Sequence, residues 1–146
     1  MAVGANWYGL GFVALANKEI DWTGDTIKMA LLDSGYTPDL DADDYFDDVS
    51  ADEITGTAYT AGGEALTGRT APYAAGTNIF SLKSADVSWA TATFTARYAV
   101  IYNASPASDA TRPLILLIDF DADSSPVAEN FTITQPADGW GTVTIT

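Results

Sequence analysis

From Glu64 onward apolar and polar side chains alternate with a period near two, the spacing of a strand with one buried face. Segments 65–73, 78–83, 86–89, 94–103, 114–121, 130–135 and 140–146 are predicted as strands, separated by Gly, Pro, Asn, Asp and Ser. Residues 26–32 add an eighth, with Ile27, Met29 and Leu31 on one face and Lys28 on the other. In the segment 94–102, Phe94, Tyr98, Val100 and Tyr102 are expected to share the core face, opposite Thr95 and Arg97. Residues 114–118, LILLI, are apolar on both faces, as a central strand covered on both sides requires. Ahead of these, residues 10–18 lack alternation and are rich in Ala, Leu and Asn, which predicts a short helix. Eight short strands with Thr-rich outer faces predict a mainly β, single-domain antiparallel β-sandwich with a short N-terminal helix. Residues 1–146 read as one domain, with an N-terminal arm at 1–11 and an acidic loop at 36–56.

Composition narrows the chemistry. The chain has 146 residues, 47% of them apolar and 12% aromatic, a balance that supports a globular core. It contains no His and no Cys, which excludes Ser-His and Cys-His nucleophile pairs, His-ligated zinc or iron, thiolate sites and disulfides. The expectation is a protein that is not an enzyme. Twenty acidic against six basic side chains give a formal charge of -14; so few dispersed cations cannot neutralise a run of phosphates, so no nucleic-acid partner is expected. Anionic lipid surfaces would repel the chain, and no window of about 18 apolar residues offers a membrane span. Residues 1–17 lack the basic start of a signal peptide and are interrupted by Gly4, Gly9 and Gly11.

The charge is uneven, with 12 of the acidic and only two of the basic residues lying in positions 1–60. Asp39, Asp41 and Asp43 match the first three ligand positions of a calcium-binding EF-hand loop. The match ends there, because Asp44 stands where the sharp turn needs Gly and Ser50 where a bidentate Glu is needed. These three aspartates are weak metal candidates, and a solvated acidic loop is the simpler reading; no cofactor is expected. Asp119, Asp121 and Asp123 alternate like a carboxylate pair of a glycosidase, but the following Ser124-Ser125-Pro126 reads as a strand leaving its sheet. Among the aromatics, Trp89, Phe94, Tyr98 and Tyr102 fall in strand patterns and belong to the core. Trp7 and Tyr8 sit instead in the Gly-flanked arm; with Leu10 they are the candidate partner-interface residues, suited to docking on a neighbour or to folding back over their own sheet.

Four stretches, DTIKMALLDSGYTPD at 25–39, YTAGG at 59–63, FTARYAVIY at 94–102 and LILLIDF at 114–120, together resemble a family of small tailed-bacteriophage virion structural proteins. The resemblance covers most of the chain and implies a particle component without catalytic residues; TQPADGWG at 134–141 departs from it and points to a different final turn. The role it implies is a capsid decoration, or cement, protein that bridges capsomers on the outer capsid surface of the virion. Its partner would be the major capsid protein, and a homo-oligomer such as a trimer would match a lattice axis. On this expectation, deleting residues 1–9 abolishes capsid binding and leaves the β-fold intact. A tail, neck or fibre-base component is the alternative, and a calcium-assisted carbohydrate-binding module using the acidic loop is the second.

Overall fold

The computed structural model describes residues 3–146, so the first two residues of the expected arm lie outside it. In chain order the elements are β1 (Ala5–Trp7), α1 (Gly9–Ala16), β2 (Ile27–Leu32), β3 (Glu64–Ala65), β4 (Tyr73–Ala74), β5 (Ile79–Leu82), β6 (Val87–Thr93), β7 (Ala96–Asn103), β8 (Leu114–Ser124), β9 (Val127–Ile133) and β10 (Gly141–Thr144). The fold is mainly β with antiparallel pairing throughout, a single sandwich-like domain. One sheet has the order β1-β8-β7-β2-β3; against it lie the sheet β10-β5-β4 and the ribbon β6-β9. No helix among the described residues is long and apolar enough to cross a membrane.

The five-stranded sheet is buried on both faces. On one face Ile27, Met29, Leu31, Ala99 and Ile101 pack with Leu82, Trp89, Phe131 and Trp140 of the second layer. On the other, Ala30, Leu32, Val100, Tyr102 and Leu117 pack under Tyr8, Tyr36, Phe46 and Val49. The cover on this second face is the acidic loop, folded into two short turns of 3-10 helix at Phe46–Asp48 and Ser50–Asp52. Phe46 stacks on Tyr102 with ring centroids 4.1 Å apart. The doubly apolar run 114–118 therefore has the central environment that its composition predicts. An irregularity where Ile101–Tyr102 faces Leu116–Leu114 adds one residue, Ile115, and turns both Ile115 and Leu116 to the larger core.

Three expectations need correction. Phe94 does not share the face of Tyr98, Val100 and Tyr102: it precedes β7 and joins Trp89 and Phe131 in the other core, with centroids 6.3 and 5.3 Å away. Nor is the opposite face of β7 open to solvent, since Ala99 and Ile101 are fully buried there. The segment 65–73 is a strand only at its ends, because Gly68 takes φ +62° and the Arg69 guanidinium turns inward to donate to the carbonyls of Trp22 and Leu66. The sequence also conceals β1, which is too short to show a period of two.

Gly63 closes the turn that brings β3 beside β2, its amide donating to the Thr60 carbonyl at 2.9 Å. Its φ is +77°, and a Cβ there would stand 1.9 Å from the carbonyl oxygen of Met29, so only glycine fits. Gly63→Ala is expected to lower the stability by about 3 kcal/mol or more, read as a shift in the urea midpoint with unchanged slope.

Candidate functional site

The N-terminal segment is shaped by contacts with its own chain. As β1, Ala5–Trp7 lies opposite Ile118, Leu117 and Leu116 of β8. The Tyr8 amide donates to the Ile115 carbonyl at 3.1 Å and the Gly9 amide to the Leu40 carbonyl at 2.8 Å. The chain then rises off the sheet edge into α1. Gly11 faces β8 so closely that a Cβ would meet the Leu114 carbonyl oxygen at 2.8 Å; glycine is what lets the helix pack there.

The sequence of α1, GLGFVALA, has no polar face. Burying Gly11 and Ala14 against the sheet consequently turns Phe12 and Val13 outward, 41% and 51% exposed. Half-buried Trp7 packs against Phe12 with ring centroids 4.5 Å apart, and its Nε1 donates to the Thr142 carbonyl at 3.0 Å. Trp7, Phe12 and Val13 form an apolar ridge whose base is fixed in the fold.

The candidate interface residues therefore part company. Trp7 is in the ridge. Tyr8 is fully buried; its hydroxyl lies 2.9 Å from that of Tyr36, which donates to Asp43 Oδ2 at 2.6 Å, so the Tyr8 proton points to Tyr36. Leu10 lines a small cleft of about 70 Å³ with Val13, Ala14, Glu19, Asp44 and Tyr45. Because β1 and Tyr8 are structural, removing residues 1–9 would take a strand and a buried tyrosine out of the fold, and the ridge has to be tested by point substitution. Phe12 and Val13 were legible in principle: an eight-residue helix with no polar face, lying beside a sheet, must expose part of its apolar surface.

In the acidic loop the carboxylates of Asp39, Asp43 and Asp48 serve backbone amides. Asp39 Oδ1 accepts from the amides of Asp41 and Ala42 at 3.2 and 3.1 Å, and Asp43 Oδ2 accepts from the Asp39 amide at 3.1 Å as well as from Tyr36. Asp48 Oδ2 accepts from the Asp44 amide at 2.9 Å. Such side-chain-to-backbone bonds are what allow a polar segment to close over an apolar sheet face. Among the described residues no group of three or more His, Cys, Asp or Glu is placed to hold a metal ion. The Asp119, Asp121 and Asp123 alternation is broken by Asp121 at φ +63°, and Asp119 pairs with Arg97 at 2.9 Å.

Burial raises several phenols above their ordinary value. Tyr36 is pushed well up by burial and by its bond to Asp43, and Tyr8 by burial, against the lowering effect of Tyr36. Asp44 is raised above the usual carboxylate range by burial, then by its hydrogen bond with Asp48 and the charge on Asp48.

Tyr36→Phe leaves the Tyr8 hydroxyl and Asp43 without their shared partner, and is expected to cost about 1–2 kcal/mol at pH 7 in urea denaturation. Because the folded phenols hold their protons more tightly than unfolded ones, whose pKa is about 10, their contribution is complete below that pH and is lost as pH rises above it. Parent stability should fall above pH ~10, and Tyr36→Phe should fall less steeply; equal slopes would show that Tyr36 is not among the groups responsible.

Comparison with family models, with curated proteins and with solved structures finds no match to this chain.

Proposed function

We propose that the chain is a non-enzymatic virion structural protein of a tailed bacteriophage, and specifically a capsid decoration protein that bridges capsomers on the outer head surface. The resemblance of segments 25–39, 59–63, 94–102 and 114–120 to that family supports the class. The observation that carries the specific role is the Trp7–Phe12–Val13 ridge: Phe12 and Val13 stand exposed on a strongly acidic protein, and half-buried Trp7 packs against Phe12 from the core side. Aromatic and aliphatic anchors on a rigid base lose little entropy on docking, the condition under which a small contact binds well.

Such a protein stabilises a shell by mass action. If the ridge meets surface that exists only where neighbouring capsomers adjoin, it binds the assembled lattice better than separate subunits and shifts the equilibrium toward the lattice. High net charge of one sign keeps densely decorated particles apart.

The first measurement is the number of copies per purified particle, by gel densitometry against the major capsid protein. A ratio near that of the capsid protein is expected; a few copies per particle would place the protein in the tail, neck or fibre base instead. Binding to shells lacking the protein should weaken roughly tenfold in Phe12→Ala and more in Val13→Asp, both of which alter exposed positions. Unchanged binding in both variants would remove the ridge as the docking face.

A further inference from the structure

The cleft between α1 and the acidic loop is divided by chemistry. Leu10, Val13 and Ala14 form its apolar side, and Glu19, Asp44 and Tyr45 its polar side. The polar side is held in place: Glu19 Oε2 accepts from the Tyr45 hydroxyl at 3.0 Å, and the Asp44 carbonyl accepts from the Leu114 amide at 2.9 Å. Among the described residues no Lys or Arg forms an ion pair with Glu19 or Asp44. Among the described residues the ion pairs are Arg97–Asp119 and Arg112–Asp109, and the guanidinium of Arg69 is occupied by the carbonyls of Trp22, Leu66 and Asp25. Val13 belongs both to this cleft and to the exposed ridge, so the two surfaces are continuous.

An apolar side facing carboxylates is the complement of a long cationic side chain, whose methylene stem seeks apolar surface while its head seeks carboxylate oxygen. We infer that the cleft receives a lysine or arginine side chain projected by the protein that docks on the ridge. At about 70 Å³ it suits the end of one side chain and is far below the size of a small-molecule site. A carboxylate would be repelled there, and an aliphatic group would cover Glu19 and Asp44 without pairing them, which costs desolvation with no return. The identity of the docking protein rests on the proposed capsid role; the chemistry of the cleft does not.

The test is an amide-shift titration of the whole isotope-labelled protein with the N-acetyl methylamides of arginine and lysine, with the norleucine analogue as the uncharged control. The cationic probes should shift the amides of residues 10, 13, 14, 19, 44 and 45, and norleucine should not. Glu19→Gln and Asp44→Asn should each weaken binding roughly threefold to fivefold, whereas Asp41→Asn, which removes the same charge outside the cleft, should leave it unchanged. Glu19 is exposed, and the amide oxygen of Gln can still accept from the Tyr45 hydroxyl that Glu19 Oε2 now serves, so Glu19→Gln removes the charge and keeps the bond. Equal shifts with norleucine, an equal loss in Asp41→Asn, or no cleft shifts up to about 50 mM probe would overturn the inference. Cleft shifts in a protein absent from particles would refute the capsid role alone, and ridge-dependent capsid binding without cleft shifts would refute the cleft alone.

Discussion

Everything in the molecule follows from one strand pair that is apolar on both sides. β7 and β8 run side by side at the centre of the five-stranded sheet, and Ala99, Val100, Ile101 and Leu114 through Ile118 are at most 3% exposed. A sheet of that kind needs a cover on each face, because every apolar side chain left in water forfeits roughly 1.5–3 kcal/mol. Strands β5, β6, β9 and β10 supply one cover. The other comes from the part of the chain least suited to burial, the Asp-rich segment 36–56, which contributes Tyr36, Phe46 and Val49 and, less deeply buried, Leu40.

That arrangement explains the internal bonding of the acidic loop. A segment crowded with like charges resists compaction, yet here it closes because its carboxylates accept from its own amides and because Tyr36 and Tyr8 carry a hydrogen bond from Asp43 down into the sheet. Asp44 is raised by burial first and by its hydrogen bond with Asp48 and the charge on Asp48 second; the unfolded chain imposes none of these, so the folded state favours the protonated form more than the unfolded state does. The contribution of this group to stability therefore grows as pH falls through its folded pKa, opposite to the usual salt-bridged aspartate. In the same loop the carboxylates of Asp39 and Asp43 are engaged by loop amides and by the Tyr36 hydroxyl.

The central strands were readable in sequence because burial on both faces leaves an unmistakable run at 114–118, and the helix at 9–16 because nothing in it alternates. What escaped were features decided by a single residue. Ile115 sits at an irregularity that changes which face its neighbours occupy, Phe94 stands just outside β7 and so changes core, and Asp121 at φ +63° ends an alternation that composition alone would continue. At the candidate site the same limit applies. Trp7, Tyr8 and Leu10 are adjacent in sequence and similar in kind, but a three-residue edge strand followed at once by a helix sends them to a ridge, a buried hydrogen bond and a cleft. No periodicity could have separated them, because none is established over so short a segment.

The N-terminal segment links the two halves of this logic. Its strand seals one edge of the central sheet, its tyrosine anchors the acidic cover, and its helix, apolar all round and packed through Gly11 against β8, is left with more apolar surface than the sheet can hide. An exposed apolar side chain is ordinary on a protein surface when it stands alone. Phe12 and Val13 do not stand alone: Trp7 supports Phe12 from below, and the carboxylate-walled cleft begins at Val13. A ridge whose supports are also the supports of the core cannot relax to hide itself without loosening the sheet. On the proposed docking role, such a ridge would engage its partner without reordering its own base.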